Sequence, residues 1–367
     1  MDEWTSTDAQ HMRHALGLAA LGLYTTAPNP RVGCVLVRAG SIVGEGWHER
    51  SGGPHAEVRS LQSAGEAARG STAYVSLEPC AAQGLTPPCT AALIAAGIAR
   101  VIYAAEDPNP KMRAGAAQLR AAGLQVAGGL LAEESRALNV GFFSRHERGR
   151  PWVRVKLGAS LDGRTALAGG ESRWITGAEA RADAQLYRAR SSVILTGSGT
   201  VLADDPTLNV RIDGASRQPL RVVLDSQLRV PSTARMFHVE GAVAVFTISG
   251  DAARSEALRR VGARVEQLAA GGGGGVDLAA LMARLAALEI NEVWVEAGPR
   301  LAGALLQAEL VDELVIYMAP CLLGPEARPL AQWPPLRSLD ERVVLRYVSV
   351  DQVGADLRII ARPAGRG

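Results

Sequence analysis

Pro54-His55-Ala56-Glu57, Glu78-Pro79-Cys80 and Pro87-Pro88-Cys89 are the fragments on which the fold of the first half of this chain turns. One histidine and two cysteines offer three ligands to a tetrahedral zinc and leave the fourth position to water. Glu57 lies two residues past His55, placed to move protons without binding the metal. The alternative is a buried histidine and two unrelated core thiols, the usual fate of free cysteine. Three features oppose it. Proline precedes both cysteines. The run Ala73 to Leu77 reads as a strand feeding Cys80. Pro88 suits the first turn of the apolar stretch Ala91 to Ala96, which puts Cys89 at a helix N-terminus, where the dipole favours a thiolate.

The order H-x-E, then P-C, then a second C, is that of the zinc deaminases. In these the metal supplies hydroxide near neutral pH and the glutamate carries the proton to the leaving amine. Their commonest pattern closes with P-C-x-x-C. Here eight residues separate Cys80 from Cys89.

Composition bounds the rest. A chain of 367 residues with 47% hydrophobic content holds two domains of ordinary size. No apolar run is long enough to span a bilayer, and Met1-Asp2-Glu3-Trp4 lacks the basic-then-apolar layout of a signal peptide. A cytoplasmic enzyme is expected. Four cysteines form no disulfide framework at this length; two are claimed by the metal, and Cys34 and Cys321 sit in apolar runs that read as core strands. That points to a reducing compartment. The net charge is +2, with no basic tail or stripe, so nucleic acid and membrane are not expected partners. Only two of the 39 basic residues are lysines, Lys111 and Lys156. A lysine kept against such a bias is a candidate for work that arginine cannot do.

In the first half, Asp8 can cap a helix from about Ala9 to Leu23. Ala27-Pro28-Asn29-Pro30 is a rigid turn, and Asn29 could place an amide beside the metal to fix a ring or ribose. Val32 to Val37 and Ile42 to Trp47 read as strands. His55 and Glu57 begin a helix reaching Ala68, Arg100 to Ala105 is a strand, and helices end near Ala122 and Asn139 around a strand at Leu124 to Ala127. Alternating strands and helices predict a three-layer α/β/α sandwich.

At these residues the chain resembles a known family. Ala27-Pro28-Asn29-Pro30-x-Val32-Gly33, His55-Ala56-Glu57-Val58, Glu78-Pro79-Cys80-x8-Cys89 and Asp107-Pro108-Asn109-Pro110 look like the deaminase half of the bifunctional riboflavin-biosynthesis deaminase/reductases, the RibD family. The resemblance implies a cytidine-deaminase-like domain over 1–148, with His55, Cys80 and Cys89 on zinc, Glu57 as the proton shuttle and Asn29 on the substrate. Two departures stand out. Where the family carries Ser-His-His/Tyr-Gly-Arg/Lys-Thr-Pro-Pro in a loop that helps hold the substrate, this chain has Ala81-Ala82-Gln83-Gly84-Leu85-Thr86-Pro87-Pro88. The family's Val-x-Gly-x-Gly is blurred to Met112-Arg113-Ala114-Gly115-Ala116.

Past a linker at Gly149-Arg150-Pro151, strands are expected at Trp152 to Leu157, Ser192 to Thr196, Arg221 to Leu224, Val243 to Thr247 and Val293 to Glu296, with helices at Ala178 to Arg190 and Asp277 to Ala287. Gly197-x-Gly199 lacks the third glycine of a dinucleotide fingerprint, so its residues alone leave cofactor contact open. Gly271 to Gly275 reads as a variable surface loop. The sharper cofactor signal is Val295-Glu296-Ala297-Gly298-Pro299, a strand ending in Gly-Pro where a helix starts. Unpaired N–H groups there make an anion site, although a plain strand-to-helix turn has the same sequence.

Lys156-Leu157-Gly158-Ala159-Ser160-Leu161-Asp162-Gly163, Thr200 to Pro206 with Leu208, and Val295 to Pro299 are similar to the reductase domain of the same family. This implies a dihydrofolate-reductase-like domain over 149–367 that uses NADPH. Ala159, Trp174, Thr200, Asp204, Ser226 and the run Gly298, Pro299, Arg300, Leu301, Ala302, Gly303, Ala304 would line the cofactor site. Lys156, Ser172, Arg188, Leu208, Arg211 and Glu296 would hold a ribose-phosphate substrate, with Arg188 and Arg211 as bidentate phosphate partners.

The sequence therefore predicts a two-domain riboflavin-pathway enzyme, a homo-oligomer with one Zn2+ per chain and NADPH. It would deaminate 2,5-diamino-6-(5-phosphoribosylamino)pyrimidin-4(3H)-one and then reduce the ribosyl group to ribityl. The altered Cys80–Cys89 loop motivates an alternative, a duplicate with a changed or weakened deaminase serving a related flavin- or pteridine-like pathway. A nucleic-acid editing deaminase would want a basic, aromatic surface, and aromatics are 4% of this chain. A purely structural zinc would want a fourth protein ligand, and the sequence offers none.

Overall fold

The computed structural model describes residues 4–364. The chain divides after Gly149 into two compact units. In the first, helix α1 (Ser6–Ala20) precedes strands β1 (Gly33–Arg38) and β2 (Ser41–Trp47), helix α2 (Ala56–Ala64), strand β3 (Thr72–Leu77), helix α3 (Cys89–Ala95), strand β4 (Arg100–Ala105), helix α4 (Gly115–Ala121), strand β5 (Gln125–Gly128) and helices α5 (Ala132–Leu138) and α6 (Val140–Arg148). The sheet order is β2-β1-β3-β4-β5. β1 is antiparallel to both neighbours, whereas β3, β4 and β5 are parallel.

The three layers follow from period-2 alternation. On β1, Cys34 and Leu36 join a core with Ala56 of α2, Leu93 of α3 and Leu119 of α4. Val35 and Val37 face Met12 and Ala15 of α1. α1 crosses β1 closely: a Cβ on Gly33 would lie 2.0 Å from the Ala15 carbonyl oxygen. Its cap is Thr5 rather than Asp8. Asp8 instead occupies the third helical position of a capping box and accepts from the Thr5 amide and the Tyr74 hydroxyl. Helix α6 is absent from the sequence expectation. Phe142 and Phe143 hold it by packing on Leu77 and Ala105, a tertiary cause that no local pattern signals.

The second unit contains β6 (Trp152–Ser160), β7 (Arg164–Ala166), α7 (Ala178–Arg190), β8 (Val193–Gly197), α8 (Ser198–Asp204), β9 (Leu220–Leu224), β10 (Val243–Thr247), α9 (Ala252–Arg260), β11 (Arg264–Gln267), α10 (Leu278–Ala287), β12 (Glu292–Glu296), α11 (Pro299–Gln307), β13 (Glu313–Ala319), β14 (Arg328–Pro329), β15 (Leu345–Val353) and β16 (Asp356–Pro363). Nine strands form one sheet in the order β11-β10-β9-β8-β12-β6-β13-β16-β15. It is parallel from β11 to β13 and ends in the antiparallel pair β16 and β15. Val153, Val155, Val293 and Val295 pack with α10 and α11, while Ile194, Trp294 and Tyr317 pack with α7 and α9. Cys321 follows β13 and is partly exposed, so it is not the core-strand residue that its apolar neighbours suggested; Cys34 is fully buried in β1. All four thiols are free.

β12 inserts between β8 and β6 after the chain has travelled outward through β9, β10 and β11. An open sheet binds its ligands outside the carboxyl ends of strands at such a switch point. Two glycines of the first unit test the packing. Gly33→Ala should destabilise that unit by about 2 kcal/mol or more, since the new methyl meets α1 backbone. Gly17→Ala, helical and open, should stabilise it by ~0.5–1 kcal/mol. Urea unfolding of both variants gives the comparison.

Candidate functional site

In the first unit the end of β3, the start of α2 and the start of α3 meet. His55 caps α2 and Glu57 is in its first turn; Cys89 opens α3 with Pro88 as its cap. His55 Nδ1 lies 3.3 Å from Cys89 Sγ and 3.6 Å from Cys80 Sγ. The three ligand atoms all fall within 4.8 Å of one another. Zinc bound to imidazole nitrogen and thiolate sulfur sets such edges at roughly 3.5 Å, so the trio fits that ion. The Cys89 amide donates to Cys80 Sγ at 3.3 Å. The Cys89 thiol, working against burial and joined by His55, holds the Cys80 thiol down to about 4.

Glu57 is buried, and that burial pushes its carboxyl up, with the Cys80 sulfur adding to the shift. Asn29 is brought to the same place. Its Nδ2 lies 3.0 Å from Nε2 of His48, whose Nδ1 is 3.1 Å from the Pro54 carbonyl oxygen. The His48 ring stands edge-on to that of His55, with centroids 5.2 Å apart.

Three contributors escaped sequence reading. Thr86 Oγ1 sits 3.2 Å from His55 Nε2, on the side of the ring away from the sulfurs. This fixes the ring and its tautomer. Glu78 is buried and accepts from the amides of Ala116 at 2.9 Å and Asp107 at 3.3 Å, tying the start of α4 and the loop after β4 to the end of β3. Asp107 is pushed up to about 7 by burial and by the neighbouring Glu78. The only signals for these residues were the motifs Thr86-Pro87-Pro88, Glu78-Pro79-Cys80 and Asp107-Pro108, which do not specify contacts.

In the second unit a cleft of ≈ 1990 Å³ opens over the ends of β6, β8, β9 and β12. Its wall carries eight arginines and Lys156 against Asp204, Asp205, Asp277 and Glu296, a charge balance suited to elongated anionic ligands. Trp174, Thr200, Asp204, Ser226, Gly298, Pro299, Arg300, Leu301 and Ala304 line it, as do Lys156, Ser172, Arg188, Leu208, Arg211 and Glu296. Gly298 caps α11 and a Cβ there would meet nothing within 4 Å, so a pyrophosphate could approach the helix start. The site thus fits a dinucleotide. Trp174 is 69% exposed, with the Arg181 guanidinium 4.3 Å above its ring.

Ala302 and Gly303 are turned away from the cleft, because helical period takes them to the core face of α11. A Cβ on Gly303 would lie 1.8 Å from the Gln332 carbonyl oxygen. Ala159 is also fully buried, and its neighbours Gly158 and Lys156 form the wall instead. The Gly271 to Gly275 loop is largely exposed, as expected of a surface loop, and it also lines the cleft near Ser226.

Arg188 does not offer the free fork expected of a phosphate partner. Its Nε and Nη2 donate to both Glu296 oxygens at 2.6 and 2.8 Å, and Nη1 donates to the Asn209 carbonyl. Trp294 Nε1 donates to Glu296 as well, at 2.8 Å. Burial alone would raise the Glu296 carboxyl, but Arg188 outweighs it and holds it at about 2. Lys156 has no hydrogen-bond partner among the described residues; burial lowers its pKa and Glu296 partly offsets that. Arg211 is exposed, and among the described residues its guanidinium hydrogen-bonds only to Thr207 and Asn209 oxygens, at 3.3 Å.

Comparison with known proteins covers both units. The cytidine and deoxycytidylate deaminase zinc-binding region matches residues 5–105, and the RibD C-terminal domain matches residues 151–359. The riboflavin biosynthesis protein RibD of Escherichia coli K12 is 49% identical over 364 residues, 95% of this chain and 98% of that protein. That of Haemophilus influenzae is 45% identical, with all of both chains covered. Among solved structures, Acinetobacter baumannii RibD superposes with a TM-score of 0.91 at 40% identity, covering 98% of this chain and 99% of that one. A Thermotoga maritima diaminohydroxyphosphoribosylaminopyrimidine deaminase/5-amino-6-(5-phosphoribosylamino)uracil reductase gives 0.86 at 32% identity, with the same coverage.

The Arg188–Glu296 pair yields a direct test. Arg188→Met strands a buried carboxylate and should cost the second unit about 3 kcal/mol or more at neutral pH. The folded carboxyl is depressed, so its stabilisation is complete above its ordinary value of 4.5 and is lost as pH falls toward about 2. Denaturant midpoints of wild type and variant should therefore converge over that window.

Proposed function

This chain belongs to the RibD family of riboflavin-biosynthesis proteins, and from that premise we propose which of its residues carry each of its two reactions. The enzyme is bifunctional. It deaminates 2,5-diamino-6-(5-phosphoribosylamino)pyrimidin-4(3H)-one hydrolytically and reduces the ribosyl group of the product to ribityl, with Zn2+ and NADPH as cofactors. No observation favours the alternative of a specialised duplicate.

Deamination is assigned to the first unit. His55 through Nδ1, Cys80 and Cys89 would hold the zinc, which when bound supplies the Lewis acidity that makes water a nucleophile near neutral pH. Glu57 would relay a proton from the attacking water to the leaving amine. A carboxyl with its pKa raised by burial suits both transfers. The Asn29 amide, held by His48, presents its remaining groups to the ring or ribose. Thr86 keeps the His55 ring in place.

Reduction is assigned to the second unit. NADPH would lie along Trp174, Thr200, Asp204, Ser226 and the start of α11, and supplies the hydride when bound. Lys156, Glu296 and Ser172 would hold the ribose, and Arg211, with its fork free of carboxylates, its phosphate. Arg188 acts by fixing Glu296. The observation that carries the deaminase assignment is the convergence of His55, Cys80, Cys89 and Glu57 on one point.

A homo-oligomer working in the cytoplasm completes the proposal. The edge strand β15 exposes Tyr347, Val348 and Val350, an apolar surface suited to a second copy. Among the described residues no helix is long and apolar enough to cross a membrane.

Glu57→Gln should abolish ammonia release from the diaminopyrimidinone while NADPH oxidation with pre-deaminated substrate stays at the wild-type rate. Loss of both would refute the division of labour. Thr86→Val should weaken zinc by about tenfold or more in a chelator competition, because the ring loses its outer partner.

A further inference from the structure

The deaminase substrate carries a phosphomonoester, and the Cys80–Cys89 loop of this chain has no cation to meet it. Ala81-Ala82-Gln83-Gly84-Leu85-Thr86-Pro87-Pro88 contains neither Lys nor Arg. Leu85 is 85% exposed where the family pattern has a cation. Glu57, Glu78 and Asp107, the acidic residues around the metal trio, are buried and offer a phosphate no positive charge. Something else at this mouth has to supply positive charge.

The segment wedged against that loop does. The Ala81 amide donates to the Met112 carbonyl at 2.9 Å, and Gln118 Nε2 donates to the Ala81 carbonyl at 3.2 Å. A Cβ built on Gly84 would lie 3.1 Å from Met112 Cε, and one on Gly115 would lie 1.8 Å from the Pro79 carbonyl oxygen. Met112, Gly115 and Gln118 are therefore packed against the loop that starts at Cys80. The same segment begins at Asp107, close enough for its charge to act on both His55 and Cys80. The Met112 side chain packs on Gly84. Lys111 and Arg113 flank it, and both are exposed. Among the described residues neither side chain has a hydrogen-bond or ion-pair partner, so both are free to turn toward a bound anion. Lys111 is also one of only two lysines in the chain, and the other, Lys156, lines the cleft of the second unit.

We propose that Lys111 and Arg113 bind the phosphate of the deaminase substrate, taking over from the position now occupied by Leu85. The inference rests on the assignment of deamination to the first unit. Phosphate contacts made equally in the ground and transition states set KM rather than kcat.

The test follows ammonia release without NADPH, using zinc-loaded full-length protein and two substrates, the 5′-phosphate and its dephosphorylated nucleoside. The double variant Lys111→Ala/Arg113→Ala should raise KM for the phosphate by about tenfold, the size expected of charge-assisted contacts at an exposed rim. Its kcat, its zinc content and its KM for the nucleoside should stay at wild-type values. Adding Leu85→Lys to the double variant should restore the KM. An unchanged KM in the double variant, or an equal rise for both substrates, overturns the proposal. A wild-type protein that binds zinc but releases no ammonia from either substrate refutes the deaminase assignment itself, and the proposal falls with it.

Discussion

Backbone amides at the start of a helix have no partner within it, and in the first unit two of these orphans hold the site together. The first amide of α3 donates to Cys80 Sγ, and an early amide of α4 donates to Glu78. Cys80 and Glu78 belong to the short run that leaves β3. The strand's exit is therefore fixed by the entrances of two helices, while the start of α2 brings in His55 and Glu57. Removing the amide from Cys80 would leave a thiolate to be stabilised by its neighbours alone. Local structure and the position of the Cys80 sulfur thus share one set of bonds.

The second unit solves a different problem with the same means. Its ligands are long and anionic, so the site is a wide cleft instead of a point. The parallel strands deliver Lys156, Gly197 and Glu296 to one edge, and the switch at β12 leaves room between them. Glu296 would be an unstable neighbour for an anionic substrate if it were mobile. The forked contact from Arg188 and the indole of Trp294 hold it still and keep it ionised. A carboxylate bonded this way keeps its place among the cations of the cleft.

The parts legible in the sequence were those set by short-range rules. β4 and α7 fall where alternation and helical period put them, and the metal trio was readable because ligand chemistry demands those residue types. Contacts made by long-range packing were not readable. Nothing in Arg188 announces that its fork is closed by Glu296, 108 residues away. Gly271 to Gly275 reads as a surface loop, and only the fold places it against Ser226. α6 has no side-chain cap, and its aromatic residues earn their helix only from the surface they cover. Within the resemblance run Gly298 to Ala304, only backbone geometry separates the residues that face the cleft from Ala302 and Gly303, which face the core.

The deaminase site stands or falls on whether one histidine and two cysteines hold a zinc with an open position beside Glu57. X-ray absorption at the zinc edge of the purified protein tests it most directly. The account predicts one zinc per chain with two sulfur neighbours at about 2.3 Å and two nitrogen or oxygen neighbours at about 2.0 Å. A shell of four sulfurs, a shell with no sulfur, or a protein that retains no zinc would contradict it.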